Sequence, residues 1–574
     1  MARTALLHLR PLALLLALLA LATLLPQPSA AIASVTRRGK YLYQGNNRFY
    51  IKGVAYQEPA PIAASTAAND ANGGFPEPDS FTDPLALPDA CTRDVANFRD
   101  LGINTIRVYS VNSSLNHDPC MSTFSNEGIY VILDLALPAN GSINRANPTW
   151  DVSLLDLYAG TIDVFTKYDN LLAVNIANEV VNQPSNANAA PFIKAAVRDV
   201  KAYLRSKNSN VLVSYSSTDG DSGTNNWRDQ LAYYLTCGSA ATSVDLYGLN
   251  SYAWCGNSSY TASGYSTLTN EFASLPVPAY LSEFGCSEGI GANNRPWTEV
   301  QALYSQPMTN TFSGGVAFSY FPQPSGVNYG LVSVSGNSVT LQSDWQSLKR
   351  QFANTTSAPT GAPANASSSP SYAACRGNTN NFPASTVLPP TPSPQLCNCV
   401  ATNAFSCALN PAAFNSPAII GTLTGQACSY LGDQGGDCAP ILGDGQAGQY
   451  GNFSACTPAQ RLEWAMSQYY EMTGFNAQSC DFAGNATAKN PPAPAAAAVN
   501  SAFSSCLGQY PVGVSTPRPD VAAASSTSTR SATASPTSTG TRGGSSNSAA
   551  QLSSGKGLAV VVAVSLAIAG WCLV

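Results

Sequence analysis

The chain has 574 residues, only 11% of them charged, and a formal net charge of -5, which excludes the basic stripe that a nucleic acid or another polyanion requires. Two histidines, His8 and His117, leave almost no room for a Ser-His-Asp hydrolase or a His-ligated zinc centre, so the chemistry left is that of carboxylates. Twenty-six tyrosines suit a neutral polymer that stacks on aromatic faces, such as a polysaccharide, although tyrosine also fills secreted β-rich cores.

In chain order, residues 1–33 read as a secretory signal peptide. Arg3 and Arg10 precede the end of a Leu/Ala run at Leu25, and the small residues Ala31-Ile32-Ala33 offer a cleavage site. Residues 34–355 alternate apolar strand-like runs with helical patterns. The strands predicted are Tyr50 to Tyr56, Asn104 to Val111, Ile129 to Leu135, Leu171 to Asn178, Val211 to Tyr215, Val244 to Asn250, Ala279 to Glu283 and Gly315 to Phe321. Between them lie helical patterns such as Cys91 to Leu101 and Pro191 to Leu204. Eight strands with intervening helices over this length predict an α/β fold, a (β/α)₈ TIM barrel.

The remaining segments differ sharply in composition. Residues 356–393 form a linker, Ala/Ser/Thr/Pro-rich at its start, that carries Cys375. Residues 394–512 hold eight cysteines and read as a small disulfide-rich module. Residues 513–547 are a Ser/Thr-rich stalk too poor in large apolar residues to fold. Residues 548–574 end in the apolar run Leu558 to Val574, which fits a GPI-anchor signal better than a short membrane span. Asn547 is the expected attachment residue, with Gly544, Ser545 and Ser546 as competitors. Either reading puts the protein outside the cell, at the outer face of the plasma membrane. Anchor attachment would remove Cys572 and leave fourteen of the fifteen cysteines. Seven Asn-x-Ser/Thr sequons, at Asn112, Asn140, Asn257, Asn354, Asn365, Asn452 and Asn485, fit passage through a glycosylating compartment.

Two glutamates carry the chemistry. Glu179 follows LLAVNIAN and Glu283 ends PVPAYLSE, so each sits at the end of an apolar run. At the C-terminal tip of a barrel strand a carboxylate faces the mouth and not the packed interior. One such glutamate alone is more often an ordinary strand-end charge, but two at the ends of strands four and seven can make a glycosidase pair. A retaining glycosidase holds an acid and a nucleophilic carboxylate about 5–5.5 Å apart.

The words around these residues narrow the reading. GVAYQ (53–57), INTIRVYSV (103–111), VILDL (131–135), NEV (178–180), YGLNSYAWC (247–255), YLSEFGC (280–286) and FSGGVAFSYF (312–321) together resemble glycoside hydrolase family 72, the fungal GPI-anchored β-1,3-glucanosyltransferases. The segment beginning CNC at Cys397 resembles the carbohydrate-binding module of family 43. The resemblance implies Glu179 as general acid/base and Glu283 as nucleophile, with β-1,3-glucan chains as donor and acceptor. It implies no cofactor and no metal, and we expect a monomer. The runner-up activities are an endo-β-1,3-glucanase and a non-catalytic glucan-binding wall protein.

Around the pair, Gln57, Asp134 and Asn178 are expected to hydrogen-bond donor sugars, with Asp134 alternatively capping a loop. Arg107 should lie on the same side of its strand as Tyr109, where its charge keeps the nucleophile ionised or serves a buried ion pair. Tyr109, Tyr252 and Tyr320 are candidates for stacking on sugar rings or for packing. Pro322 stands where the family has an acidic residue. The resemblance also implies bridges of Cys91 with Cys120, Cys237 with Cys375 and Cys255 with Cys286. Within the module Cys428 with Cys438 is the one pairing favoured.

Overall fold

The structure, a computed structural model, describes residues 32–511 apart from 59–79, 139–140, 221–226, 292, 324–327, 356–357, 362–366, 368 and 490–495. The signal peptide up to residue 31, the stalk, Asn547 and the apolar tail lie outside the described residues.

Eight apolar runs form strands, most of them carrying β-branched or aromatic residues and bounded by polar turns. They are β1 (Ile51–Ala55), β2 (Thr105–Val108), β3 (Tyr130–Asp134), β4 (Leu171–Asn178), β5 (Leu212–Thr218), β6 (Leu246–Asn250), β7 (Ala279–Phe284) and β8 (Phe312–Ala317). All pair in parallel in sequence order, and β8 pairs with β1 to close the barrel. The observed β5 runs on to Thr218, because the polar residues 216–218 still pair with β6. The observed β8 ends earlier than its apolar run suggests, and residues 318–321 leave the sheet. Gly314 makes the closure possible: its φ is +90°, and a Cβ there would lie 2.1 Å from the carbonyl oxygen of Ile51.

The interior is layered along the strands. Near their N-terminal ends Ile51, Ile132, Leu212, Leu246 and Tyr280 fill the barrel floor. A small antiparallel sheet over Val35–Arg38, Tyr41–Gln44 and Asn47–Arg48 supplies Leu42 and Phe49 to the same cluster and seals the floor from below. A larger apolar cluster fills the space between the strands and the outer helices, including Pro88–Leu101, Val152–Phe165 and Ala190–Ser206. Polar side chains are therefore left for the C-terminal ends, where the mouth opens.

The cysteine-rich segment is mostly helical, with Pro394–Ala404, Pro417–Asp433, Pro458–Met472 and Ala496–Gln509 as its longer helices. Three of them open on Ser393, Ser416 or Thr457 followed by proline at the first helical position. The side-chain oxygen accepts an orphan backbone N–H, and proline has none to lose. Bridges join Cys397 to Cys456, Cys399 to Cys506, Cys407 to Cys480 and Cys428 to Cys438. In the barrel, Cys91 bonds Cys120 and Cys255 bonds Cys286, while Cys237 bonds Cys375 beyond the end of the barrel.

The module is fastened to the barrel. Val152, at the start of a barrel helix, is buried in the module's own core, and its N–H donates to the Ala455 carbonyl at 3.0 Å. Beside it Asp151 caps its helix and pairs with Arg461 at 3.2 Å. The connecting segment also lies against the barrel, where Arg198 donates to the Pro389 carbonyl and Thr391 donates to Asp199.

One buried acid on the outer shell sets a pH dependence. Glu299 is 3% exposed, and burial pushes its carboxyl from 4.5 up to about 8, against the opposing pull of Arg295. Because the folded value lies above the unfolded one, this contribution to stability is full below about pH 4.5 and is lost as pH rises through about 8. Glu299→Gln should flatten the fall in Tm between pH 5 and 8, as measured by scanning calorimetry. An unchanged slope would show that Glu299 does not take up a proton on folding.

Candidate active site

Strict alternation along a strand would not deliver both glutamates to the mouth. In β4, Asn175 points inward, but Ile176 and Ala177 both join the outer core and Asn178 returns inward. The pairing with β5 shifts register at this point. In β7, Leu281 packs outward and Ser282 faces inward, and a second register shift lies between Leu281 and Glu283. Such irregularities re-aim side chains at barrel rims. Glu179 itself has φ +51°, with its N–H donated to the Ser216 carbonyl at 2.9 Å. Its own carbonyl accepts from the Arg145 guanidinium at 3.0 Å. A non-glycine residue held in this region costs about 1–3 kcal/mol, and these two contacts hold it there.

Arg107 lies at the centre of the mouth and is fully buried. Its Nε and Nη2 donate to the two oxygens of Asp134 at 3.1 and 2.8 Å, its Nη1 to Glu283 Oε1 at 3.2 Å, and its Nη2 also to Asn178 Oδ1 at 2.9 Å. Burial opposes the charge, but the carboxylates of Asp134 and Glu283 and the neighbouring Tyr109 hold Arg107 protonated. Asn250 links Glu179 to Arg107, which in turn holds Glu283. Its Nδ2 donates to Glu179 Oε1 at 2.6 Å and to Asn178 Oδ1 at 3.1 Å, while its Oδ1 accepts from Ser282 and Arg107. Asn178 thus has its oxygen occupied twice, which directs its amide nitrogen away from the network.

Three residues expected to touch sugar are differently engaged. Asp134 is 3% exposed and given over to Arg107 and Asn175, so it orients the arginine. Gln57 accepts the Tyr109 and Ser110 N–H groups and donates to the Thr82 carbonyl, pinning the loop after β2. Tyr320 corrects the expectation most clearly. It is 0% exposed, donates to Asp94 at 2.8 Å and accepts from Asn97, and packs on Tyr56 and Phe98 behind the barrel. The chain turns after β8, so the side chain at 320 faces the helix Pro88–Leu101 and not the mouth.

Phe318 and Tyr329 stand at the mouth instead. Phe318 lies 6.5 Å from Tyr109, 6.2 Å from Tyr252 and 5.5 Å from Tyr329, centre to centre, and Tyr252 lies 5.7 Å from Tyr329. All four rings are partly exposed. Tyr109 and Tyr252 also donate to Glu283 Oε1 and Oε2, at 2.8 and 2.7 Å. Sequence reasoning missed Phe318, Tyr329 and Asn250. Only Asn250 carried a signal, a polar residue ending an apolar run as Asn178 does.

Burial pushes the Glu283 carboxyl up to about 7 against the pull of Arg107, and the Glu179 charge adds to the rise. Glu179 is raised too, first by burial, with its hydrogen bond from Asn250 opposing. Carboxyls coupled in this way titrate as a pair and not as two independent groups. Tyr109, Tyr252 and Arg107 all donate to Glu283, whereas among the described residues Asn250 donates to the Glu179 carboxyl. This balance of donors favours the charge on Glu283 and the proton on Glu179. Among the described residues the one cluster with metal-ligand spacing is Cys255, Cys286 and Glu288, and its sulfurs are joined in a disulfide.

A (β/α)₈ barrel with two carboxyl groups at the tips of β4 and β7, beside a cluster of aromatic rings, defines a carbohydrate-active enzyme of the glycoside hydrolase type. The glucanosyltransferase family model matches residues 26–356, and the X8 domain model matches residues 405–487. The chain belongs to the glucanosyltransferase family. Over 472 residues it is 37% identical to the 1,3-beta-glucanosyltransferase gas1 of Schizosaccharomyces pombe, covering 82% of this chain and 81% of that one. It is also 37% identical to the 1,3-beta-glucanosyltransferase GAS2 of Saccharomyces cerevisiae, over 76% of each chain. A mutant of Saccharomyces cerevisiae Gas2p in complex with laminaritetraose and laminaripentaose superposes with a TM-score of 0.69 at 33% identity, covering 83% of this chain and 99% of that one.

Tyr252→Phe removes one donor from ionised Glu283 and raises its pKa further. A hydrogen bond to a charged group is worth about 1.5–3 kcal/mol, so the acid limb of the pH–activity profile should move upward by about one to two pH units. An unshifted limb would mean that Tyr252 does not control this ionisation.

Proposed function

We infer that this chain is a retaining 1,3-beta-glucanosyltransferase that elongates β-1,3-glucan. The observation that carries the reading is the pair Glu179 and Glu283, linked through Arg107, Asn178 and Asn250, in a chain of this family. Glu283 attacks the anomeric carbon of an internal glucose unit. The glycosidic C–O bond breaks, and the proton on Glu179 passes to the departing oxygen. The 3-hydroxyl at the non-reducing end of a second chain then attacks the glucosyl-enzyme. Its proton passes to Glu179, and the bond to Glu283 breaks.

The roles of the surrounding groups follow from their contacts. Asn178 has a free amide N–H to offer the donor 2-hydroxyl, since its oxygen is held by Arg107 and Asn250. Arg107, Tyr109 and Tyr252 stabilise the Glu283 carboxylate as leaving group in the second step. The rings of Tyr109, Tyr252, Phe318 and Tyr329 give glucose units faces to stack on, and transfer outcompetes hydrolysis when such faces hold an acceptor.

The enzyme works outside the cell. Seven disulfides require an oxidising compartment. No helix of the described residues is long and apolar enough to cross a membrane. Cleavage of residues 1–33 and a lipid anchor at Asn547, beyond a stalk over 513–547, would hold a monomeric barrel (34–355) and module (394–512) at the outer face of the membrane.

Incubation of the secreted, anchorless protein with a reduced laminarioligosaccharide, with products sized by mass spectrometry, tests this reading. Products longer and shorter than the substrate are expected, with a loss of about 10³-fold or more in both Glu179→Gln and Glu283→Gln. Only shorter products would indicate a hydrolase, and no products at all a binding protein.

A further inference from the structure

On the module, far along the chain from the catalytic pair, residues 482–487 read Phe-Ala-Gly-Asn-Ala-Thr, with Asn485 and Thr487 forming a glycosylation sequon. The backbone at Phe482, Ala483 and Gly484 has φ of +43°, +55° and +78°, three successive residues in the left-handed region. Two of them are not glycine, so the turn is strained and must be held from outside. Asp481 accepts the Gly484 N–H at 3.0 Å, and Asn410 donates to the Gly484 carbonyl at 2.7 Å. A Cβ placed on Gly484 would meet nothing within 4 Å, so the turn opens to solvent.

The turn brings Asn485 back onto Phe482. The Asn485 side-chain amide donates one hydrogen to the Phe482 carbonyl at 2.9 Å. Phe482 belongs to an aromatic group with Tyr430 and Tyr469. Ring centres are 5.4 Å apart for Tyr430 and Tyr469, 6.3 Å for Tyr430 and Phe482, and 6.1 Å for Tyr469 and Phe482. Tyr430 is 37% exposed, so part of its ring is open to a ligand. The apolar face of a pyranose ring packs well on such a surface.

We propose that Asn485 carries an N-linked glycan whose first sugars cover the exposed Tyr430 and half-buried Tyr469 rings that pack on buried Phe482, making the glycan a structural part of the module. In the secretory compartment the Asn485 amide nitrogen attacks the anomeric carbon of a lipid-pyrophosphate-linked oligosaccharide. A C–N bond forms, the C–O bond to pyrophosphate breaks, one amide proton leaves, and lipid pyrophosphate departs. The amide keeps its second hydrogen, so the bond to the Phe482 carbonyl survives and orients the sugar. Thr487, on the strand Ala486–Ala488, is exposed and completes the acceptor sequence.

The test uses the full secreted chain from a host that N-glycosylates. Glycopeptide mass spectrometry is expected to find Asn485 occupied in most molecules. Asn485→Gln and, independently, Thr487→Ala should each lose that glycan and lower Tm by about 3 °C while leaving glucan transfer unchanged. Trimming to a single N-acetylglucosamine should preserve Tm, and Tyr430→Ser should lower Tm in the glycosylated chain more than in Asn485→Gln. An unmodified Asn485 would overturn the proposal, as would equal effects of Tyr430→Ser in both backgrounds. Saturable laminarioligosaccharide binding by the glycosylated protein, abolished by Tyr430→Ser, would assign the surface to substrate and overturn it as well.

Discussion

The site depends on one buried cation. Arg107 sits where eight strands converge, and its guanidinium holds Asp134, Asn178, Asn250 and Glu283 in one plane of contacts. A charge taken wholly out of water is tolerated only with partners, and removing one partner of such a group typically costs about 3–5 kcal/mol. Asp134 supplies the compensating charge through two parallel bonds, which leaves the remaining donors of Arg107 for the catalytic side. Because Asn178 and Asn250 accept from the same guanidinium, the position of Glu179 is tied to that of Glu283 through rigid amides.

That arrangement exists because two strands break their own alternation. The shift in β4 places Ile176 and Ala177 on the same outer face, and the shift in β7 turns Glu283 toward the interior. Regular strands would have buried one carboxylate against the outer helices. The polar ends then share a layer above an apolar floor sealed by Leu42 and Phe49. Desolvation from this packing raises both carboxyls, while unequal numbers of donors separate their roles.

The cysteine-rich module is anchored to the barrel by buried contacts of the same kind. Its core accepts Val152 from a barrel helix, and the segment between the two is held by the Cys237–Cys375 bridge. Four internal bridges close loops within the module and lower the entropy of its unfolded chain.

Much of this was legible in the chain because it is local. Apolar runs ending in glutamate marked β4 and β7, and cysteine density marked the module. Asn178 and Arg107 were legible as polar residues in or ending apolar strands. What the chain alone left undecided concerns direction. Tyr320 and Phe318 lie two residues apart in one aromatic run, and the turn after β8 sends the first to Asp94 and the second to Tyr252. Tyr329 reaches the mouth from a loop without any periodic pattern. Asp134 and Gln57 have the chemistry to bind sugar, but a buried arginine and two backbone N–H groups claim them first. Sequence by itself determined the strand order, the carboxylate pair and the family. Tertiary structure decided which side chains face the mouth of the barrel, because that depends on register shifts and competing partners distant along the chain.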